Sequence, residues 1–266
     1  MIGRVPALAA ALGVALAAAA AIFMLAPLAV VIASSVSASE FLVFPPRGFS
    51  LRWYQEILAS SVYLRALGVS LTLAAVVTVI SVALGAAAAI GLSRPGVRFA
   101  GALQGLFLSP LMLPTILLGI GLLMLASRYA NGPSFAVMAL GHVVVTLPYV
   151  VRTVSAVLAR VDPSLEEAAR VMGAPWWRRY WHVVLPQARP GLAAGAFFAF
   201  NVSFDEAVVA LFLRAPGVET LPLLIYSKLE FSPDPSVAAA ATLMIAMTVA
   251  VMIALDRVLG LDKVAA

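Results

Sequence analysis

Apolar positions in this chain come in long unbroken runs, separated by short segments that hold nearly all the charge. The runs extend approximately over Ala7–Ala33, Ala66–Leu92, Leu103–Ala126, Phe135–Val157, Leu192–Leu213 and Val237–Leu255. A helix needs about 20 residues to cross the roughly 30 Å hydrocarbon core, and each run is close to that length. The runs are continuous rather than alternating. Only helices and closed barrels satisfy their backbone groups in lipid, and alternation is the mark of the barrel. The pattern therefore predicts an all-α integral membrane protein of about six transmembrane helices in one domain. The first run follows Arg4 and precedes Ser37-Ala38-Ser39, as in a cleavable signal. Its apolar core exceeds the 7–15 residues of such signals and is read as an uncleaved anchor.

Composition agrees with the pattern. The 266 residues are 63% hydrophobic and 11% charged, with a mean hydropathy of +1.06. Soluble domains run at roughly 45–50% apolar and about 25% charged. The formal charge of +5 resembles a nucleic-acid footprint only until its residues are placed in the connecting segments; no nucleic-acid partner is expected. With the N-terminus inside, cytoplasmic segments hold Arg4, Arg94, Arg98, Arg152, Arg160, Arg170, Arg178, Arg179, Arg189, Arg257 and Lys263. External segments hold Arg47, Arg52, Arg65, Arg128, Arg214 and Lys228. The excess inside favours both termini in the cytoplasm. Turn signals at Arg94-Pro95-Gly96, Asn131-Gly132-Pro133 and Pro233-Asp234-Pro235 fit this division. Phe49, Trp53, Tyr54 and Ile57 share a face of a short helix expected to lie at the external interface, or to meet an external partner.

The most informative connection follows the fourth run. Asp162-Pro163 is a usual helix start, and Ser164 with Glu167 fits a capping box. Gly173 is placed to stop the helix. Leu165, Ala168, Ala169 and Met172 fall at i, i+3, i+4 and i+7, one apolar stripe, with Glu166, Glu167 and Arg170 mostly off it. A helix of two to three turns is unstable alone. Periodicity leaves two covers for the stripe equally open: the chain's own bundle, or a groove on a partner. A second short element, rich in Trp and Arg, is opened by Pro175 and closed by Pro186.

The order Glu167-Ala168-Ala169, three residues, Gly173, nine residues, Val183, one residue, Leu185-Pro186 resembles the EAA loop of binding-protein-dependent ABC transporter permeases; Val183 stands where isoleucine is commonest. Leu147-Pro148-Tyr149, Pro190-Gly191, Ser203-Phe204-Asp205-Glu206, Thr220-Leu221-Pro222 and Asp234-Pro235 resemble the spermidine/putrescine-type subfamily. The resemblance implies a MetI-like fold in the bacterial cytoplasmic (inner) membrane, with a cytoplasmic coupling helix. Implied partners are two copies of an ABC ATPase subunit, a second and paralogous permease subunit, and a periplasmic or external solute-binding protein. Glu167 and Gly173 carry over as ATPase-docking residues with Ala168 and Ala169 beside them; Leu165, Met172, Leu185 and Pro186 complete the set. Neither Lys228 nor Lys263 belongs to a GxxxxGK[ST] sequence. No cofactor is thus expected on this chain, and ATP and Mg would be bound by the partner ATPase.

Asp205 and Glu206 lie roughly 20 Å into the fifth run at 1.5 Å per residue, and Asn201 shares the face of Asp205. Intramembrane carboxylates generally face water or a partner. These three are candidates for a substrate pathway suited to a cation such as spermidine or putrescine; pairing with Arg214, Arg152 or another permease half is equally open. Ferric iron, a phosphonate or an amino-acid derivative are alternative substrates. His142 is read as a hydrogen-bonded helix contact, and Gly101/Gly105 and Gly191/Gly195 as weak GxxxG signals. An ion-coupled secondary transporter is the rival function, for which repeats and interrupted helices are expected. A membrane enzyme lacks a nucleophile–base set: the chain has no cysteine and two histidines.

Overall fold

The helix Phe135–Leu158, half of it buried, centres one of the two compact units of this all-helical chain. The computed structural model describes residues 7–94 and 96–259; Arg4, Pro95 and Lys263 lie outside the described residues. The helices are α1 (Ala7–Ser35), α2 (Arg52–Ala59), α3 (Ser61–Leu92), α4 (Ala100–Leu108), α5 (Thr115–Tyr129), α6 (Phe135–Leu158), α7 (Ser164–Val171), α8 (Trp176–Arg179), α9 (Leu185–Asp205), α10 (Val208–Phe212), α11 (Leu221–Phe231) and α12 (Pro235–Leu259). A 3-10 turn, Ser109–Met112, follows α4, and a π-helical segment, Tyr180–Val184, joins α8 to α9. Among the described residues four helices are long and apolar enough to cross a membrane: those at Ala11–Ser35, Ser61–Leu92, Phe135–Leu158 and Pro235–Ala254. The bent pair Ala100–Met112 and Thr115–Tyr129 raises this to as many as five.

Two expected runs are therefore not straight spans. The third is bent by 103° between Met112 and Thr115. Pro114 has no N–H to continue the ladder, and Leu113 before it is held extended at φ −91°, ψ 138°. The fifth run ends its helix at Asp205. Glu206 turns to an extended ψ of 105°, and its carboxylate Oε1 accepts the backbone N–H groups of Val208 (2.8 Å) and Val209 (3.0 Å) that open α10. A side chain thus takes over the hydrogen bonds the break releases.

The chain divides into two compact units, Met1–Ser61 with Ser227–Ala246, and Val62–Tyr226 with Met247–Ala266. In the first, α2 caps the end of α1. The indole Nε1 of Trp53 donates to the Ser37 carbonyl at 3.0 Å, and the hydroxyls of Tyr54 and Ser35 lie 2.7 Å apart. Trp53 and Ile57 are buried, and Phe49, which precedes the helix, is exposed. The four-residue interfacial face is thereby corrected: three of its rings and chains are turned toward the protein, because the indole and phenol tips find buried partners there.

In the second unit α6 is the hub. Leu73 and Val77 of α3, Met138 and Val143 of α6 and Val209 and Leu213 around α10 form one apolar cluster. Ala89 and Ile90, Val150 and Val154, and Ala188 and Ala199 of α9 form the other. A buried polar seam runs between them: Ser81 to Thr146 at 2.7 Å and His142 Nδ1 to Ser203 Oγ at 3.0 Å. His142 is a helix-contact residue.

The two GxxxG pairs separate cleanly. A Cβ at Gly191 would stand 2.9 Å from the Thr153 carbonyl and the Val154 Cα, and one at Gly195 2.9 Å from Thr153 Oγ1. At Gly101 and Gly105 it would meet nothing within 4 Å. Gly191 and Gly195 are what let α9 lie against the α6 backbone. Gly191→Leu and Gly195→Leu are each expected to destabilise the detergent-solubilised chain by roughly 1–3 kcal/mol, as overpacking does. Gly101→Leu and Gly105→Leu should leave the melting temperature in place, and thermal unfolding compares the four directly.

Candidate docking loop and pathway residues

The docking candidates are carried by α7, on the connection between α6 and α9. Its start is fixed by Asp162, whose Oδ1 accepts the Ser164 N–H at 2.9 Å. The Asp162-Pro163 start is the one used. The capping box is not formed, since Ser164 already lies in the first helical turn. The end is a complete Schellman closure. Gly173 N–H donates to the Arg170 carbonyl and Ala174 N–H to the Ala169 carbonyl, both at 3.0 Å, with Gly173 at φ +80°. That left-handed conformation is why a glycine stands there.

One residue of the stripe is turned inward. Ala169 is 8% exposed, whereas Leu165 is 51%, Met172 82% and the adjacent Val171 85% exposed. Glu167 and Ala168 are also exposed. A Cβ built on Gly173 meets nothing within 4 Å. The outward face of α7, with Leu165, Ala168 and Met172, is therefore apolar and without cover from the described residues.

Glu166, which the pattern places off the stripe, is the residue that sequence reasoning missed. Its carboxylate accepts from Arg94 Nη1, in the segment after α3. It also lies 3.6 Å from Arg179 Nε at the end of α8. The signal available was the clustering of arginines in the neighbouring segments, but nothing in the spacing says which of two adjacent glutamates they hold. Glu166, Glu167, Asp162, Arg94, Arg170 and Arg179 together line a cleft of about 590 Å³.

Leu185 and Pro186 lie at the entry of α9, and the expectation that Pro186 closes the second element is corrected. The chain stays helical through it because the π segment precedes it, with the Leu185 N–H reaching the Tyr180 carbonyl five residues back. The wider turn accommodates a proline that a regular ladder would resist.

The pathway candidates occupy the far end of α9. Asn201 is half-buried and Asp205 exposed. Asp205 forms no hydrogen bond or ion pair among the described residues, and Arg214 is engaged with Glu219 at 3.0 Å. Glu206 is committed through Oε1 to the start of α10. The structure thus brings Asn201 and Asp205 to one face, and gives Glu206 a backbone-capping duty.

The pattern of the family described as "Binding-protein-dependent transport system inner membrane component" matches residues 81–261, a stretch that holds α7 and α9 entire. The chain belongs to this family. It is the multi-pass permease subunit of an ABC importer, a transport component. It is 34% identical over 231 residues to the putrescine transport system permease protein PotI of Escherichia coli (strain K12), covering 84% of this chain and 82% of that one. Identity to the spermidine/putrescine transport system permease protein PotC of the same strain is 30% over 241 residues, covering 91% and 90%. The MetI-like fold is shared with the inward-facing MetNI methionine ABC transporter, at a TM-score of 0.63 and 21% identity over 74% of this chain and 94% of that one. It is shared as well with a bacterial ABC transporter that imports alginate, at a TM-score of 0.71 and 13% identity over 93% and 94%. The interrupted helices expected of a secondary transporter are present at Pro114 and Glu206, yet they belong to an ABC permease.

Asp162 titrates with the start of α7. The Ser164 N–H holds its carboxyl below the ordinary carboxylate range. A depressed carboxyl stabilises the fold above its unfolded pKa, and the contribution is lost as pH falls through the folded value. The protection of amides 164–167, taken as exchange relative to the intrinsic rate at each pH, is therefore expected to fall on acidification below about pH 4. Asp162→Ala should show the lower protection already at neutral pH.

Proposed function

We propose that this permease imports a polyamine, putrescine or spermidine, and is driven by ATP hydrolysed on separate subunits that grip α7. The observation that carries the docking is the bare outward face of α7: Leu165, Ala168 and Met172 with Glu167 beside them, closed by Gly173, on a helix held from behind. Helix-in-groove recognition needs such a face, and small residues permit close approach. Leu185 and Pro186 fix the return of the chain from this loop into α9. Two ATPase copies, carrying the ATP and Mg, would close on each other and push the coupling helices of this chain and of a second, paralogous permease. An external solute-binding protein delivers the solute to the opposite face, and both termini lie in the cytoplasm with α7.

The substrate class is supported by the relatives named for putrescine and spermidine and by Asp205, an uncompensated carboxylate suited to a cation. Asn201, on the same face, supplies a hydrogen-bonding neighbour, and Glu206 contributes negative charge at the break.

Gly173→Asp separates docking from folding, because a Cβ added there meets nothing within 4 Å among the described residues and Asp tolerates the left-handed conformation better than most residues. The variant is expected in the membrane at normal levels, with co-purified ATPase reduced at least about tenfold, a loss of about 1.4 kcal/mol, and transport gone. Met172→Cys in this cysteine-free chain should be labelled by an impermeant thiol reagent only from the cytoplasmic side. Normal pumping by Gly173→Asp, or labelling of Met172→Cys from outside, would sink the docking reading.

Asp205→Asn tests the pathway. Putrescine uptake should fall several-fold while ATPase binding is unchanged; full uptake with unaltered preference among polyamines removes Asp205 as a selector.

A further inference from the structure

We propose that Glu166 is a positioning residue of the transport cycle: its carboxylate clasps α7 to the ends of α3 and α9, so that a push on α7 moves both. The inference rests on the docking of α7 proposed above and goes beyond it, since Glu166 stands outside the docking face.

Three observations meet at this carboxylate. It accepts from Arg94, 72 residues away in sequence. Arg94 is fixed to α3 through its own N–H to the Gly91 carbonyl at 3.3 Å, with the Ser93 N–H on Ala89 at 3.0 Å and Ser93 Oγ on Ile90 at 2.8 Å. The same carboxylate lies 3.6 Å from Arg179 Nε, a buried nitrogen with no hydrogen-bond partner. Arg179 immediately precedes the π segment through which α8 runs into α9. Glu166 is therefore the counter-charge both arginines face, and α7 is tied to α3 on one side and α9 on the other.

Stability alone does not account for this clasp. Ion pairs with this degree of exposure add little to folding. A carboxylate shared by two arginines, one hydrogen-bonded through its backbone to the end of α3 and one on the helical segment that runs into α9, does serve to transmit displacement. A docked helix joined to the bundle only by flexible segments could be pushed without moving the gate. Removing the carboxylate would also leave the Arg179 cation without its counter-charge, so the loop would loosen on the α9 side too.

The test uses the full complex in proteoliposomes: this chain with the ATPase subunits and binding protein that accompany it, and labelled putrescine as solute. ATPase co-purification, ATP hydrolysis and putrescine moved per ATP are read separately, against the wild-type complex. Glu166→Gln should retain the ATPase subunits and hydrolysis, and lower putrescine moved per ATP at least about fivefold, the low end of ordinary coupling between sites. Arg94→Gln, which lies outside α7, should reproduce the loss. The double variant Glu166→Gln with Arg94→Gln should be no worse than either single one. Unchanged yield per ATP in Glu166→Gln or Arg94→Gln overturns the clasp. Loss of ATPase co-purification in Glu166→Gln also overturns it, by making Glu166 a docking contact. Failure of the docking reading shows elsewhere, as ATPase that stays bound to Gly173→Asp.

Discussion

The close approach of α9 to α6 is the contact on which the rest of this structure depends. It exists because Gly191 and Gly195 present bare backbone to Thr153, Val154 and Val150. Lipid tails are as apolar as leucine, so helices in a bilayer are held by packing and interhelical hydrogen bonds rather than by exclusion from water. Packing of that kind needs backbones near each other. Once α9 is seated, the same pair of helices brings Ser203 to His142 and defines both ends of the connection that bears α7. At the far end α9 stops at Asp205, beside the pathway candidates. The docking loop and the candidate pathway are thus opposite ends of one helix pair.

Three helix starts in this unit are answered by a specific side chain. Glu206 receives the N–H groups of α10, Asp162 receives the start of α7, and Ser70 Oγ receives the N–H of Leu221 at the start of α11 at 2.8 Å. The need is strongest at Leu221, whose bond is buried, and at Glu206, whose bonds are part-buried, because an unpaired backbone group away from water is costly. Glu206 shows how this need and function compete for one residue. Its position in an apolar run reads as a solute contact, while its Oε1 is spent on the backbone break beside Asp205.

How much of this was legible in the chain follows from what each signal measures. Hydropathy located α1, α3, α6 and α12 within a few residues, because length and apolarity are properties of the run itself. It did not reveal the bends. Pro114 is a readable cause of the one at Met112–Thr115, but hydropathy is blind to it because the surrounding run is apolar throughout. The break at Glu206 has no proline or glycine at the turn, and depends on a carboxylate folding back on its own backbone. The motif fixed the address of α7 and the identity of Gly173, whose positive φ is a local requirement. It was silent on Trp53 and Tyr54, whose orientation is set by Ser35 and Ser37. It was equally silent on which GxxxG pair is a contact, since Gly101 and Gly191 have the same spacing and opposite surroundings.

Glu166 and Glu167 make the limit of sequence reading concrete, and show how a docking helix can be both open and rigid. The two are adjacent, chemically identical and both in the first turn, where the helix dipole favours acid. About 100° of helical rotation separates them. That angle turns Glu166 toward Arg94 and Arg179 and leaves Glu167 in the open beside Ala168. A helix of eight residues has little stability of its own, so one flank must be anchored if the other is to stay bare. Ala169 supplies the apolar part of that anchor and Glu166 the charged part. The exposed stripe is then no packing defect; it is affordable because the opposite flank is held at two points and both ends are capped.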